Sequence, residues 1–558
     1  MRIAIASSFL IALVAALGCG KSVQPTPDVP PPTEKPVVVP ETTTQEATPQ
    51  PPPVAVIPPK RSPFVSVKDG AFIDSEGRQL LLHGMAVISK DPKENYQSWH
   101  GPEDFAQMRR WGMNCIRLGI IWDGLEPEPG KFDEEYLKKV DQRIEWARDN
   151  KLYVFLDMHQ DLFSVKYSDG APEWATLDEG LPHTTGAVWS DSYQLSAAVK
   201  KSFDNFWANK PGPDGVGVQE RFALAWQHVA KRYADNPTVI GYDLFNEPNE
   251  GSGIPDLQIL MASAFAEAMA AKDGTKPDVL SVASKWMDPK GRSELMTRLQ
   301  DIDIFTKVVD APQEAVQAFE RAHVVPMFQR VANAIREVDT NHILFLETLM
   351  ACNMGIRTGL EPLMGPDGQR DPLQAYAPHG YDIVVDTPDL TNASNERVKL
   401  IFDRHAESGK RLNMPVLIGE WGAYGGAGPA IVPTAEFTVR EFERHGFSDT
   451  FWEYGRYVKD AAYLPALHRA IPLHVAGSLV SYGKDPGAGS FLFVWNEDPA
   501  ITAPTQIFMP EDEKIDSWDI SGGPSVSPEF DQNEKTMFIV PPQGKAAEVQ
   551  LKMMRKPS

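Results

Sequence analysis

The run Gly241-Tyr242-Asp243-Leu244-Phe245-Asn246-Glu247-Pro248 sets an apolar strand directly before an amide, a carboxylic acid and a proline. Proline has no N–H for a sheet ladder, so pairing stops there and Glu247 is left at the strand's end. A second run, Pro415-Val416-Leu417-Ile418-Gly419-Glu420-Trp421-Gly422, has the same form, with Glu420 between small and aromatic neighbours. An isolated Asn-Glu-Pro also arises by chance as a turn. Two buried strands that both end in glutamate are harder to explain, because a charged group is costly to bury without a partner or a function.

Apolar runs of similar length recur on both sides, at residues 80–87, 113–122, 152–159, 239–246, 342–347, 375–381, 415–419 and 450–454. Stretches such as 134–150 and 219–234 lie between them, with apolar positions at helical spacing. Eight strands alternating with helices predict an α/β fold, a closed (β/α)8 TIM barrel over residues 62–465. In such a barrel the C-terminal ends of the strands form the active site. The runs ending in Glu247 and Glu420 are the fourth and seventh, so their side chains should face each other about 5–5.5 Å apart. Beyond residue 465 the helical spacing gives way to short alternating runs such as 490–495 and 536–540. These predict a C-terminal antiparallel β-sandwich over 466–558, with structural support as its plain role and carbohydrate or lipid binding as the alternative.

The N-terminal part has a different character. Arg2 precedes an uncharged apolar stretch at 3–17, followed by Gly18-Cys19-Gly20, which reads as an export signal over residues 1–19. A small residue before a cysteine at that place resembles the bacterial lipoprotein cleavage box, with Cys19 as the lipidated residue, although Ala16 stands where leucine is usual. A lipid anchor in the membrane, simple secretion and an uncleaved anchor are the three readings. Residues 21–60 contain 13 prolines and no aromatic residue, so 20–61 reads as an extended linker reaching up to roughly 120 Å at about 3.1 Å per residue.

Composition narrows the partners. The 558 residues carry a formal net charge of −22 with no basic block, which excludes a nucleic-acid partner and disfavours anionic membranes. Cys115 and Cys352 lie in or beside apolar runs and read as two separate buried thiols.

With these motifs in place, the chain resembles glycoside hydrolase family 5, the cellulase-type barrels, and within it the endoglycoceramidase-related branch. The resemblance runs from about Phe64 to Asp460 and implies the C-terminal β-sandwich as well. It implies a retaining glycosidase in which Glu247 is the acid/base and Glu420 the nucleophile, with Asn246 the family's asparagine. Arg117 in Ile-Arg-Leu matches the arginine that neutralises the nucleophile. His379-Gly380-Tyr381 matches the family's His-x-Tyr, and Trp452 in Phe-Trp-Glu-Tyr matches the tryptophan beneath the reacting sugar. Asp157-Met158-His159-Gln160-Asp161, with Gly170-Ala171-Pro172-Glu173-Trp174-Ala175, is similar to the third-strand segment of endoglycoceramidases. Lys90, Asp157, His159, Asp161 and Trp207 are thereby implied as sugar-binding residues. A metal site and a purely structural hydrogen-bond network are the rival readings of the Asp-His-Asp cluster. The expectation is no metal and no cofactor, since glycosyl transfer between two carboxylates needs no Lewis acid. Glu347, Glu453 and Glu173 are read as supporting or salt-bridged acids rather than catalytic ones.

The segment after Glu247 departs from the branch. At about 250–311 there is an insertion, too long for an ordinary strand-to-helix loop, on the active-site side. Ile254, Leu257, Met261, Phe265 and Met269 form an apolar helical stripe in it, suited to packing on the barrel or to a lipid-facing lid. The expected substrate is a glycolipid or related β-glycoside. A β-glucan hydrolase is the alternative within the class, and a non-catalytic glycan-binding surface lipoprotein is the alternative outside it. Oligomeric state is not legible.

Overall fold

The computed structural model describes residues 62–555 apart from 256, 386, 388, 486–488, 512 and 523–526. Cys19 and the export segment and linker expected at residues 1–61 lie outside the described residues. Among the described residues, no helix is long and apolar enough to cross a membrane.

Eight parallel strands form the barrel: β1 (His83–Val87), β2 (Cys115–Ile121), β3 (Tyr153–His159), β4 (Val239–Asp243), β5 (Ile343–Leu346), β6 (Gln374–Tyr376), β7 (Leu417–Ile418) and β8 (Ser448–Phe451). They pair in sequence, β8 pairs with β1, and a parallel bridge from Tyr376 to Val416 joins β6 to β7. Each expected apolar run overlaps one of these strands, although Gln374–Tyr376 and Ser448–Phe451 begin before the runs expected at 375–381 and 450–454. Burial on both faces explains their near-continuous apolar character. Gly241 answers a tighter need: a Cβ there would stand 2.2 Å from the Ile343 carbonyl oxygen on β5. Phe155, Ile240, Phe345 and Leu417 fill the lower interior.

Helices return the chain around the outside. Glu134–Asp149 starts at Asp133, whose carboxylate accepts from the backbone N–H groups of Glu135 and Tyr136, and buries Leu137, Val140 and Ile144. Val218–Tyr233 buries Phe222, Trp226 and Val229 on the same principle. Cys115 and Cys352 are both buried and free.

The C-terminal part is a two-sheet antiparallel domain. A four-stranded sheet (Gly477–Lys484, Ser490–Glu497, Ile515–Ser521, Ala547–Arg555) faces a seven-stranded one across a core including Trp495, Ile507, Phe538 and Leu551. The larger sheet is not wholly C-terminal. Ser66–Lys68, Ala71–Ile73 and Gln79–Leu80 extend it, with Leu80 opposite His474 and Gln79 opposite Val475. The single run expected at 80–87 is therefore split, with Leu80 in this sheet and His83–Val87 in the barrel.

The inserted segment is helical: α1 (Leu257–Asp273), α2 (Val279–Trp286), α3 (Pro289–Arg298) and α4 (Ile302–Asp310). Asp278, Asp288 and Asp301 cap the last three by accepting backbone N–H bonds. Ile254, Leu257, Phe265 and Met269 of the expected stripe are buried and Met261 is half-buried. The stripe packs inward. Polar ties hold the segment on two sides, through Arg292 to Asp191 at 2.8 Å and through Arg404 to Asp310 at 2.6 Å.

Candidate active site

Glu247 lies shortly beyond the end of β4 at Asp243, in the left-handed region at φ +42°, which a non-glycine residue adopts only when its surroundings enforce it. Two groups do so. Its N–H donates to Glu347 Oε2 at 2.8 Å, and its carbonyl accepts from Gln160 Nε2 at 3.1 Å. The carboxylate is turned so that Oε1 accepts from Asn353 Nδ2 (2.6 Å) and His379 Nδ1 (2.9 Å), leaving Oε2 as the oxygen for a proton.

Glu420 stands across the barrel mouth. Its Oε1 pairs with Arg117 Nη1, and its Oε2 accepts from the Tyr381 hydroxyl at 2.8 Å and lies 3.6 Å from His379 Nδ1. A carboxylate oxygen of Glu247, a ring nitrogen of His379 and a carboxylate oxygen of Glu420 all lie within 4.8 Å of one another.

Arg117, fully buried on β2, is the hub beneath. Its guanidinium reaches Asp243 Oδ2 at 3.0 Å, Asp157 Oδ1 at 3.0 Å, Glu347 Oε1 at 2.7 Å and Asn246 Oδ1 at 2.8 Å, as well as Glu420. His379 Nε2 also lies 3.3 Å from Glu347 Oε1.

This field drives the two glutamates apart. Burial opposes ionisation of Glu420, but His379, Arg117, His159 and the Tyr381 hydroxyl outweigh it and hold Glu420 below the ordinary carboxylate range. Burial pushes Glu247 up, and the neighbouring charge of Glu420 adds to the rise, so Glu247 keeps its proton to higher pH than an ordinary glutamate. His379 is held well above the ordinary histidine value, since Glu347 and Glu420 overcome the burial that would discharge it. Asp243 is pushed well up by burial and by Glu347, which eases the excess of buried negative charge.

A polar wall flanks the pair. His159 stacks on Trp452 at 5.1 Å between centroids and 10° between planes, and Lys90 Nζ lies 4.7 Å from the Trp452 ring centroid. Lys90 pairs with Asp161 and lies 4.0 Å from Asp169 Oδ2, while Asp157 Oδ2 holds His159 Nδ1 at 2.8 Å. Against burial and Lys90, Asp157 raises His159 to about 10. Asp161 falls to about 2 despite burial because of Lys90 and His159, whereas burial and Asp161 lift Asp169 to about 6. Besides the catalytic trio and a group at Asp403, Glu441 and His445, two clusters among the described residues have metal-ligand residue types within 4.8 Å: His159, Asp161 and Asp169, and Asp157, Asp243 and Glu347. In each a cation is already supplied, by Lys90 in the first and by Arg117 in the second.

The cavity above these groups has a volume of about 540 Å³, in the range of small-molecule sites, and its lining includes Lys90, His159, Asp161, Asn246, Glu247, Tyr381, Glu420 and Trp452. Arg117, Asp157 and His379 lie directly behind it. Trp207 does not join them: its indole N–H donates to the Asn249 carbonyl at 2.8 Å and its ring packs on Phe206 and Phe319. Asn246 lines the cavity, but its Nδ2 donates to the Gln160 carbonyl at 2.9 Å. Asn353, Asp169 and the exposed Trp189 are further members of the site or its lining that carry no recognisable motif. Glu173 lies on the outside, exposed.

The model of the cellulase family, glycosyl hydrolase family 5, matches residues 74–457, and the model of the family 5 C-terminal domain matches 469–553. The chain belongs to glycosyl hydrolase family 5. It is 30% identical over 224 residues to an endoglycoceramidase of Cyanea nozakii (35% of this chain, 43% of that one), and 30% identical over 223 residues to endoglycoceramidase I of Rhodococcus hoagii (37% and 43%). The chain thus spans less than half the length of these curated relatives. The solved structure of endo-glycoceramidase II from Rhodococcus sp. superposes with a TM-score of 0.66 at 25% identity, covering 87% of this chain and 99% of that one.

Proposed function

We propose that this chain is a retaining β-glycosidase that cleaves lipid-linked glycosides, resembling the endoglycoceramidases, by double displacement. The observation that carries the mechanism is the approach of Glu247 and Glu420 to within 4.8 Å, oxygen to oxygen. That is nearer the separation of roughly 5–5.5 Å between carboxyl groups of a retaining pair than the roughly 6.5–9.5 Å that leaves room for water in an inverting one. Glu420, ionised by Arg117, His379 and Tyr381, attacks the anomeric carbon as Glu247 passes its proton to the leaving oxygen. Glu247 then takes a proton from water, whose oxygen displaces Glu420 from the glycosyl-enzyme. Trp452, His159, Lys90 and Asp161 form the wall for the sugar. The lipid-linked substrate is supported by the endoglycoceramidase relatives. An exported chain, tethered through Cys19 or secreted, suits such a substrate, and its net charge of −22 favours neutral lipids.

The test is a screen of neutral glycolipids against soluble β-glucans, with the anomer released followed by NMR from the first minutes. A β-product from glycolipid is expected; an α-product first, or preference for the soluble glucan, overturns the reading. The pH profile of kcat/KM checks the charges independently. Activity requires Glu420 ionised and Glu247 protonated, so it rises with pH through a limb below the ordinary carboxylate range and falls through one above it. Tyr381→Phe removes a bond that favours ionised Glu420 and should move the acid limb to higher pH.

A further inference from the structure

The inserted helices enclose a second cavity, of about 80 Å³, beside the catalytic one. Its wall includes Met261 and Phe265 of α1, Trp286 of α2 and Leu295 of α3, with Met354 and Ile383 contributed by the barrel loops. Among the described residues that line it, Gln258 alone carries a side-chain amide, and that amide reaches Met287 Sδ at 3.9 Å. Met354 and Ile383 also line the catalytic cavity. They form a common wall between the two spaces. Met354 directly follows Asn353, whose amide holds Glu247 Oε1 at 2.6 Å, so the apolar space adjoins the acid/base.

We infer that this chamber receives the end of one slender, unbranched hydrocarbon chain of the substrate's aglycone. The inference rests on the proposed roles of the two glutamates, because Glu247 marks where the leaving oxygen departs while Trp452, Lys90 and His159 mark the sugar's side. An apolar wall with one amide offers nothing to a second sugar, which would bring hydroxyls without partners. Its volume is about half that of an engineered cavity of roughly 150 Å³ that admits benzene, so a polymethylene tail fits where fused rings do not. The burial of the α1 stripe has the same sense. Met261 and Phe265 face this chamber, so the lipid-contacting surface of the insertion is an interior wall.

The chain-length profile of n-alkyl β-glucosides, measured below their micellar concentrations, tests this. Each methylene that reaches the chamber should raise kcat/KM about fourfold, levelling off once the space is filled. Ala262 of α1 also lines the chamber, and Ala262→Phe, which fills it, should lower the ratio of long-chain to butyl glycoside activity at least tenfold and leave aryl β-glucoside hydrolysis within threefold. An unchanged ratio in a folded Ala262→Phe protein overturns the proposal. Should that variant unfold, Leu295→Ala decides: a longer preferred chain is expected, and an unaltered profile refutes the site. Binding of cis-parinaric acid, read by its fluorescence, needs no turnover. Binding weakened by Ala262→Phe in a protein inert on all β-glycosides would retain the chamber and sink the glycosidase reading; undiminished binding would sink the chamber.

Discussion

Glu420→Ala is expected to reduce hydrolysis of every substrate to background, whereas Glu247→Ala keeps slow turnover of an activated aryl glycoside. The difference follows from what each carboxylate must supply. An aryl leaving group of low pKa needs no proton, so its departure tolerates the loss of Glu247, while the covalent bond to Glu420 has no substitute. On an unactivated glycolipid, Glu247→Ala should cost roughly 10²–10⁴-fold. Azide restores turnover in Glu247→Ala, because this small nucleophile needs no base, and the product should be a β-glycosyl azide. Azide acting on Glu420→Ala can attack only from the vacated side and would give the α-product. If Glu420→Ala instead gave the β-glycosyl azide and Glu247→Ala gave the α-product, the two roles would be reversed.

How far the sequence reveals these groups depends on the range of the forces that place them. Asn246-Glu247-Pro248 and Gly419-Glu420-Trp421 are legible because strand burial and strand termination are local effects. His379-Gly380-Tyr381 and Arg117 are recognisable only through a family likeness, since no spacing in the chain brings β2, β6 and β7 together. Asn353 is invisible in this way: it follows buried Cys352 in a loop without a motif, yet it holds Glu247. Trp207 shows the converse, where an aromatic residue in a plausible segment is drawn away by the Asn249 carbonyl and Phe319. Leu80 reads as the start of the first barrel strand, but its partner His474 lies about four hundred residues later, and no local periodicity encodes that pairing. In the insertion the apolar positions of α1 are legible, but barrel packing and a lid, the two settings they suggest, omit a small helical unit with an interior of its own.

Glu347→Ala should reduce kcat about 10²-fold while KM for an aryl glycoside stays within a few-fold, although Glu347 does not line the catalytic cavity. Its Oε2 fixes the Glu247 N–H at 2.8 Å, which keeps the residue in its left-handed conformation, and its Oε1 contacts both Arg117 (2.7 Å) and His379 (3.3 Å). One carboxylate thus sets the backbone of the acid/base and orients both cations that face the nucleophile. It is a positioning residue, and a misplacement of about 1 Å at Glu247 is enough for the loss stated. Glu347→Gln separates geometry from charge. Its carbonyl oxygen can still accept from the Glu247 N–H, so most of kcat should return, but the negative charge that keeps His379 protonated is gone. His379 then loses its proton more readily, its downward pull on Glu247 weakens, and the alkaline limb of kcat/KM moves to higher pH. A glutamine variant as impaired as alanine, with an unmoved alkaline limb, would mean that Glu347 merely stabilises the barrel, and a parallel fall in melting temperature for both variants would accompany that outcome.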